Sequence, residues 1–130
     1  MTEIIINFFA KVNQKNAFKE QFGAIFFLIF AYLSFKITSM LKRVSLSIYG
    51  IVQGVGFRYY TVHKARCLGL TGWVKNGFDG SVQLLIEGEE GKVNEMIDWC
   101  KRGPSSAYVS DVNVQNEDYT NEFSDFKIIY

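Results

Sequence analysis

Apolar and polar residues alternate near the middle of the chain, where Val44, Leu46 and Ile48 interleave with Ser45, Ser47 and Tyr49, the period of a half-buried strand. From Phe57 the period lengthens. Phe57, Thr61, Ala65 and Leu68 fall on one helical face, and Gly69 supplies the stop. A short strand over residues 72–75 then leads into Asn76-Gly77 and Asp79-Gly80, dipeptides suited to tight hairpins. Val82, Leu84 and Ile86 restore the two-residue period. Val93, Met96, Ile97 and Cys100 recur at the i, i+3, i+4, i+7 spacing of an amphipathic helix that Gly103-Pro104 ends. Two β-rich stretches, residues 108–114 and 123–130, close the chain. The order β-α-β-β-α-β with a terminal strand predicts an α+β fold, a ferredoxin-like sandwich. Its antiparallel sheet carries two helices on one face and is built from two interleaved right-handed βαβ units.

Residues 1–42 follow none of these patterns. Residues 21–35 read QFGAIFFLIFAYLSF, fifteen positions without a charge between Glu20 and Lys36. A membrane-spanning helix needs about 20 apolar residues, so this stretch reaches that length only by running through Lys36. A cleaved leader fits poorly, because the apolar run begins late and no small-x-small pattern follows it closely. Three readings stay open: a start extended beyond the true one at Met40, a membrane anchor, or an extra helix packed on the domain. The expected organisation is a hydrophobic extension over residues 1–42 and one domain over residues 43–130.

Charge divides the chain at the same place. Residues 1–42 hold five Lys and two Glu, whereas residues 43–130 hold nine Lys or Arg against eleven Asp or Glu, so the net +1 averages +3 and −2. A mildly acidic domain without a basic run offers no footprint for nucleic acid. Cys67, Cys100 and His63 fall short of a metal-ligand set. The expectations are no metal, no cofactor, unpaired cysteines in a reducing, cytoplasmic setting, and a monomer acting on a small anionic molecule.

The candidate chemistry lies in GIVQGVGFR, residues 50–58, with three glycines in seven residues ahead of a helix. A glycine-rich loop feeding a helix N-terminus is suited to anions, because unpaired N–H groups and the positive end of the helix dipole converge there. The same loop serves equally as a connecting turn. Arg58 favours the anion reading, since its guanidinium grips phosphate oxygens in a bidentate fork. Asn76 has a plain alternative as a hairpin residue. Topology favours more, because the first and second strands run the same way with the third between them. Their C-terminal ends then share one sheet edge, about 10 Å apart, which sets the Asn76 carboxamide across from the loop. His63 is a surface or half-buried residue with general-base work as its one candidate role. Tyr59, Tyr60, Trp73 and Trp99 read as packing or exposed rings.

On these residues the domain resembles the acylphosphatase family. GIVQGVGFR resembles its phosphate loop, GLTGWVKN with DGSV its second signature, and the run from Trp99 through GPSSAYV to SDFKI its C-terminal half. The resemblance spans residues 43–130 and implies hydrolysis of acyl phosphates to carboxylate and inorganic phosphate. It implies that Arg58 binds the phosphate, with backbone amides of Gln53, Gly54, Val55, Gly56, Phe57 and Arg58 around it, and that Asn76 places the attacking water. The alternative is a non-enzymatic ferredoxin-like binding module. A module of that kind for RNA needs exposed aromatics on adjacent central strands and a basic face, which Ser81, Gln83 and Leu85 do not supply.

Overall fold

The computed structural model describes residues 2–13 and 19–130, without the side chains of residues 8–13, 19–21, 38 and 39. The chain forms two compact units, Met1–Thr38 and Ser39–Tyr130. The first holds α1 (Thr2–Asn13) and most of α2 (Lys19–Ser39). Along α2, Phe26, Phe27, Leu28, Phe30, Leu33 and Phe35 are exposed, and the Phe26 ring lies 6.2 Å from Phe22 and 6.4 Å from Phe30, one helical turn either side. Among the described residues no helix is long and apolar enough to cross a membrane.

The second unit runs β1 (Leu41–Ile51), α3 (Phe57–Cys67), β2 (Thr71–Asn76), β3 (Val82–Glu89), α4 (Glu90–Arg102), β4 (Tyr108–Glu117) and β5 (Phe126–Ile128). The strands lie in the order β4-β1-β3-β2-β5, with β1 and β2 both antiparallel to β3 between them. This is the ferredoxin-like α+β arrangement that the element order predicts. Three details differ from the expectation. The sheet is mixed, because β5 pairs with β2 in parallel (Val74 with Ile128). The last strand covers only three residues of the β-rich stretch. The first strand starts at Leu41, where Leu41 and Lys42 pair with Glu89 and Gly88, two residues before the expected boundary.

The two-residue period of β1 and β3 buries Val44, Leu46 and Ile48 beside Val82, Leu84 and Ile86. Both helices cover this face, α3 with Phe57 and Ala65, α4 with Val93, Met96, Ile97 and Cys100. On the opposite face β1 and β3 present Ser45, Ser47, Tyr49, Gln83, Leu85 and Glu87. Tyr49 is the one aromatic on these central strands, so a base-stacking platform is not built there.

At the far end of the sheet from the glycine loop, Glu87 is 1% exposed yet fully engaged. Its carboxylate accepts from the backbone N–H groups of Thr120 (3.0 Å) and Asn121 (2.9 Å) and from Arg43 Nη1 (3.2 Å). Arg43 also pairs with Glu117 and Glu122. Burial alone would raise the Glu87 carboxyl, but the amide donors and Arg43 outweigh it and hold it below the usual glutamate range. The network fastens the segment between β4 and β5, and so carries β5 back to the edge of β2.

Candidate active site

The loop between β1 and α3 turns sharply because Gly54 and Gly56 adopt left-handed φ values of 75° and 78°, which other residues reach only with strain. Gly56 is the N-cap of α3, no side chain caps that helix, and its first turn contains no acidic residue. The orphan N–H groups of that turn and the positive end of the dipole are therefore available to an anion. Ser106 Oγ braces the loop from below by donating to the Val55 carbonyl at 2.7 Å.

Across the sheet edge, β2 ends at Asn76, which pairs with Val82. The turn beyond it is closed by Gly77 N–H donating to Ser81 O (2.7 Å) and Gly80 N–H to Gly77 O (3.3 Å). Asp79 Oδ1 accepts from Ser81 N–H (3.1 Å) and Ser81 Oγ (2.5 Å). The positive φ in this turn belongs to Gly80, not to Gly77. Asn76 is thus the last residue of a strand rather than a corner of a tight Asn-Gly turn, which corrects the hairpin geometry expected at 76–77. Gln53 joins the two halves, its Nε2 donating to the carbonyls of Gly77 (2.8 Å) and Ser81 (2.9 Å).

Gly54, Gly56, Phe57, Arg58 and Asn76 line one cleft of about 150 Å³, together with Val52, Tyr59, Ile128 and Tyr130. Asn76 Oδ1 is buried and has no hydrogen-bond partner among the described residues. A buried carboxamide oxygen without a donor is costly. Arg58 lies at the same mouth with its guanidinium 5.7 Å from the centre of the Tyr130 ring, a cation–π contact. Of the expected phosphate-loop residues, Gln53 and Val55 are outside the lining. Gln53 turns its side-chain amide onto the hairpin and the Val55 carbonyl is taken by Ser106, bonds that use neither residue's backbone N–H.

Ile128 and Tyr130 were invisible in the sequence as site residues. They arrive because β5 docks in parallel on β2, where Ile129 N–H donates to Val74 O at 2.9 Å. A three-residue strand leaves no period to read. His63 is exposed and lies outside the cleft, on a neighbouring concavity with Tyr59, Val62, Arg66, Lys127 and Ile128. Trp99 packs edge-on against Phe57 at 5.7 Å. Among the described residues no group of three or more His, Cys, Asp or Glu is placed to hold a metal ion. Cys67 and Cys100 are unpaired, the first exposed and the second buried.

The family model described as acylphosphatase matches residues 44–128, from β1 to the end of β5. The chain belongs to the acylphosphatase family. An acylphosphatase of Geotalea uraniireducens is 49% identical over 88 residues, covering 68% of this chain and 97% of that protein. The crystal structure of acylphosphatase from Bacillus subtilis superposes with a TM-score of 0.66 at 36% identity, over 70% of this chain and 100% of that one. Full-length HypF, solved in a phosphate- and nucleotide-bound form, matches with a TM-score of 0.64 at 32% identity, over 69% of this chain and 12% of HypF. The acylphosphatase match contains the glycine loop, Arg58 and Asn76, and residues 1–43 lie outside it.

Proposed function

We propose that the chain hydrolyses acyl phosphates, R–CO–O–PO₃²⁻, to a carboxylate and inorganic phosphate in the Arg58–Asn76 cleft. Membership of the acylphosphatase family supports the reaction class. The observation that carries the mechanism is that Asn76, Arg58 and the uncapped start of α3 line one cleft.

In this reading the phosphoryl group sits against the loop and the first turn of α3. Arg58 forks two of its oxygens, and N–H groups of the loop hold the rest. The Asn76 carboxamide holds a water by a hydrogen bond and aims that water's oxygen at phosphorus, opposite the bridging oxygen. A new P–O bond forms as the bond to the acyl oxygen breaks, and that oxygen leaves as a carboxylate. The water's proton passes to a phosphate oxygen. Phosphoryl transfer to a carboxylate leaving group mainly needs positioning and charge stabilisation, which an arginine, amides and a carboxamide supply without a strong base.

The test is hydrolysis of benzoyl phosphate by purified protein with a chelator present, alongside Asn76→Ala. Chelator-resistant turnover that falls about a hundredfold in the variant is expected, as when an aligned polar group is lost from a transition state. Absence of turnover in the parent protein would overturn the reading.

A further inference from the structure

Helix α2 is apolar on every side. Phe27, Leu28, Phe30, Leu33 and Phe35 are exposed along it, and at about 100° per residue these positions fall around the whole circumference instead of along one stripe. By contrast, α4 buries Val93, Met96, Ile97 and Cys100 on one side and turns Glu95, Asp98, Lys101 and Arg102 outwards. A helix on the surface of a water-soluble domain keeps a polar face, and one that pairs with a copy of itself confines its apolar residues to a seam. α2 does neither, so water is a poor solvent for it on all sides and hydrocarbon a good one. The helix lies outside the family match, which begins at residue 44.

Charge and length define the bilayer and the depth. Lys11, Lys15 and Lys19 fall within nine residues of sequence that contain no acid, and Lys36 follows the apolar run. The Lys36 ammonium lies 5.9 Å from the centre of the Tyr32 ring, a basic and an aromatic group together as at the level of lipid headgroups. The uncharged positions 21–35 reach about 22 Å along the helix axis, short of a hydrocarbon core of about 30 Å. Basic groups at both ends of a run too short to cross bring both ends to the same surface. Residues 43–130 carry a net −2 and are repelled by anionic lipid, so the attraction falls to residues 1–42 with their net +3.

We propose that α2 is a lipid-docking helix, which embeds in one leaflet of an anionic membrane without crossing it. Lys11, Lys15 and Lys19 ahead of the apolar run and Lys36 behind it meet the headgroup phosphates, while the phenylalanines and leucines enter the acyl layer. The domain is thereby tethered at a membrane surface, whether or not the proposed hydrolysis is its reaction.

The test is flotation of the full chain with vesicles of phosphatidylcholine, either alone or with phosphatidylglycerol at about 30%. The chain should float with the anionic vesicles at least about tenfold better than with the neutral ones, and the difference should shrink as salt screens the lysines. Replacing Lys11, Lys15 and Lys19 together by Gln should weaken binding to the anionic vesicles about a hundredfold and change binding to the neutral ones by less than about twofold. Phe27→Asp with Leu28→Asp should abolish flotation on both, whereas Phe78→Asp, which charges an exposed ring on the β2–β3 hairpin, should leave it unchanged. An unchanged thermal transition in each variant shows that the domain is intact. A membrane-impermeant maleimide added outside the vesicles should label both Thr2→Cys and the exposed Cys67. Protection of Thr2→Cys until detergent is added would show a crossing helix and overturn the one-leaflet placement. A full chain that stays below the vesicles overturns lipid docking, and if it does so as an oligomer, a second copy is what covers α2. Equal flotation with both kinds of vesicle, or equal losses in Phe78→Asp and the α2 variant, overturns it as well.

Discussion

The side-chain amide of Gln53 donates a 2.8 Å hydrogen bond to the carbonyl oxygen of Gly77, the residue that follows Asn76, and so couples the glycine loop to the β2–β3 hairpin. The loop opens the β1-α3-β2 unit and the hairpin joins that unit to β3-α4-β4, and their spacing decides how an anion on one meets a water on the other. Gln53→Ala removes this bond and its companion to Ser81 while leaving Arg58, the loop glycines and Asn76 in place. Turnover should fall about tenfold, because small misplacements of a positioning group are costly, while inhibition by inorganic phosphate stays within about twofold. Steady-state kinetics with phosphate as competitive inhibitor separate the two effects. Equal losses in both would show that Gln53 shapes the phosphate cradle itself.

Glu87 makes the domain sensitive to acid at a place remote from the cleft. Its folded carboxyl is held below its ordinary value of 4.5. The stability that it contributes is therefore fully present above that ordinary value and is lost as pH falls through the lower folded one. Glu87→Gln keeps the shape but turns an NH₂ group towards backbone donors and leaves Arg43 with less to pair. The variant should be less stable by about 2 kcal/mol at pH 7, and the deficit should narrow as the pH drops below 4. Urea unfolding at several pH values checks this. A deficit independent of pH would place the cost in packing instead of charge.

The cysteines report on the helices. Cys67 ends α3 in solvent, whereas Cys100 is buried on the core face of α4 and burial pushes its thiol well above the ordinary range. A thiol reagent should label Cys67 rapidly in the native protein and Cys100 only once denaturant is added. Rapid labelling of both would mean that α4 does not pack as described.

How much of this the sequence discloses depends on whether a residue belongs to a repeating pattern. Val44, Leu46 and Ile48, or Val93, Met96, Ile97 and Cys100, announce their burial because strands and helices repeat at fixed periods. The glycine loop with Arg58 is legible for a similar reason, since its chemistry is local. Tyr130, Ile128 and the parallel seat of β5 are not, because three residues carry no period and their placement depends on Glu87 gripping the amides of Thr120 and Asn121. The Asn-Gly turn misleads for the opposite reason: a strong local signal at 76–77 yields to a longer turn that Asp79, Ser81 and Gln53 hold closed.

The domain should not need residues 1–39. Its buried core runs from Val44 to Phe126, and Met40 is tied in by its carbonyl, which accepts from Glu90 N–H at 2.9 Å. Protein beginning at Met40 is expected to fold and to match the full chain in turnover of acyl phosphate within about twofold, with stability altered by no more than about 0.5 kcal/mol, as for changes outside the core. Thermal unfolding and kinetics on the two lengths test this. Loss of folding on truncation would show that the Phe-rich segment supplies part of the core.

Arg58 and Asn76 have different proposed roles, and their variants should differ accordingly. Arg58→Ala removes the charged group at the cleft, so inorganic phosphate should cease to inhibit in the accessible range and turnover should fall with it. Asn76→Ala leaves the loop amides and Arg58, so phosphate inhibition should persist while turnover drops about a hundredfold. A loosened hairpin is the natural objection to any Asn76 variant. It is weakened by the turn itself, whose closing bonds come from Gly77, Gly80, Asp79, Ser81 and Gln53 and use no atom of the Asn76 side chain. Unchanged thermal unfolding of Asn76→Ala would confirm that the sheet edge is intact. Asn76→Asp then isolates the chemistry, because it preserves the acceptor and the shape but brings a negative charge towards an anionic substrate in a partly buried cleft. Its turnover should fall at least as far as that of Asn76→Ala, and the loss should ease as pH is lowered and the carboxyl takes up a proton. Near-normal turnover of Asn76→Asp at neutral pH would mean that the attacking water is placed by some other group, leaving Asn76 as the end of a strand and nothing more.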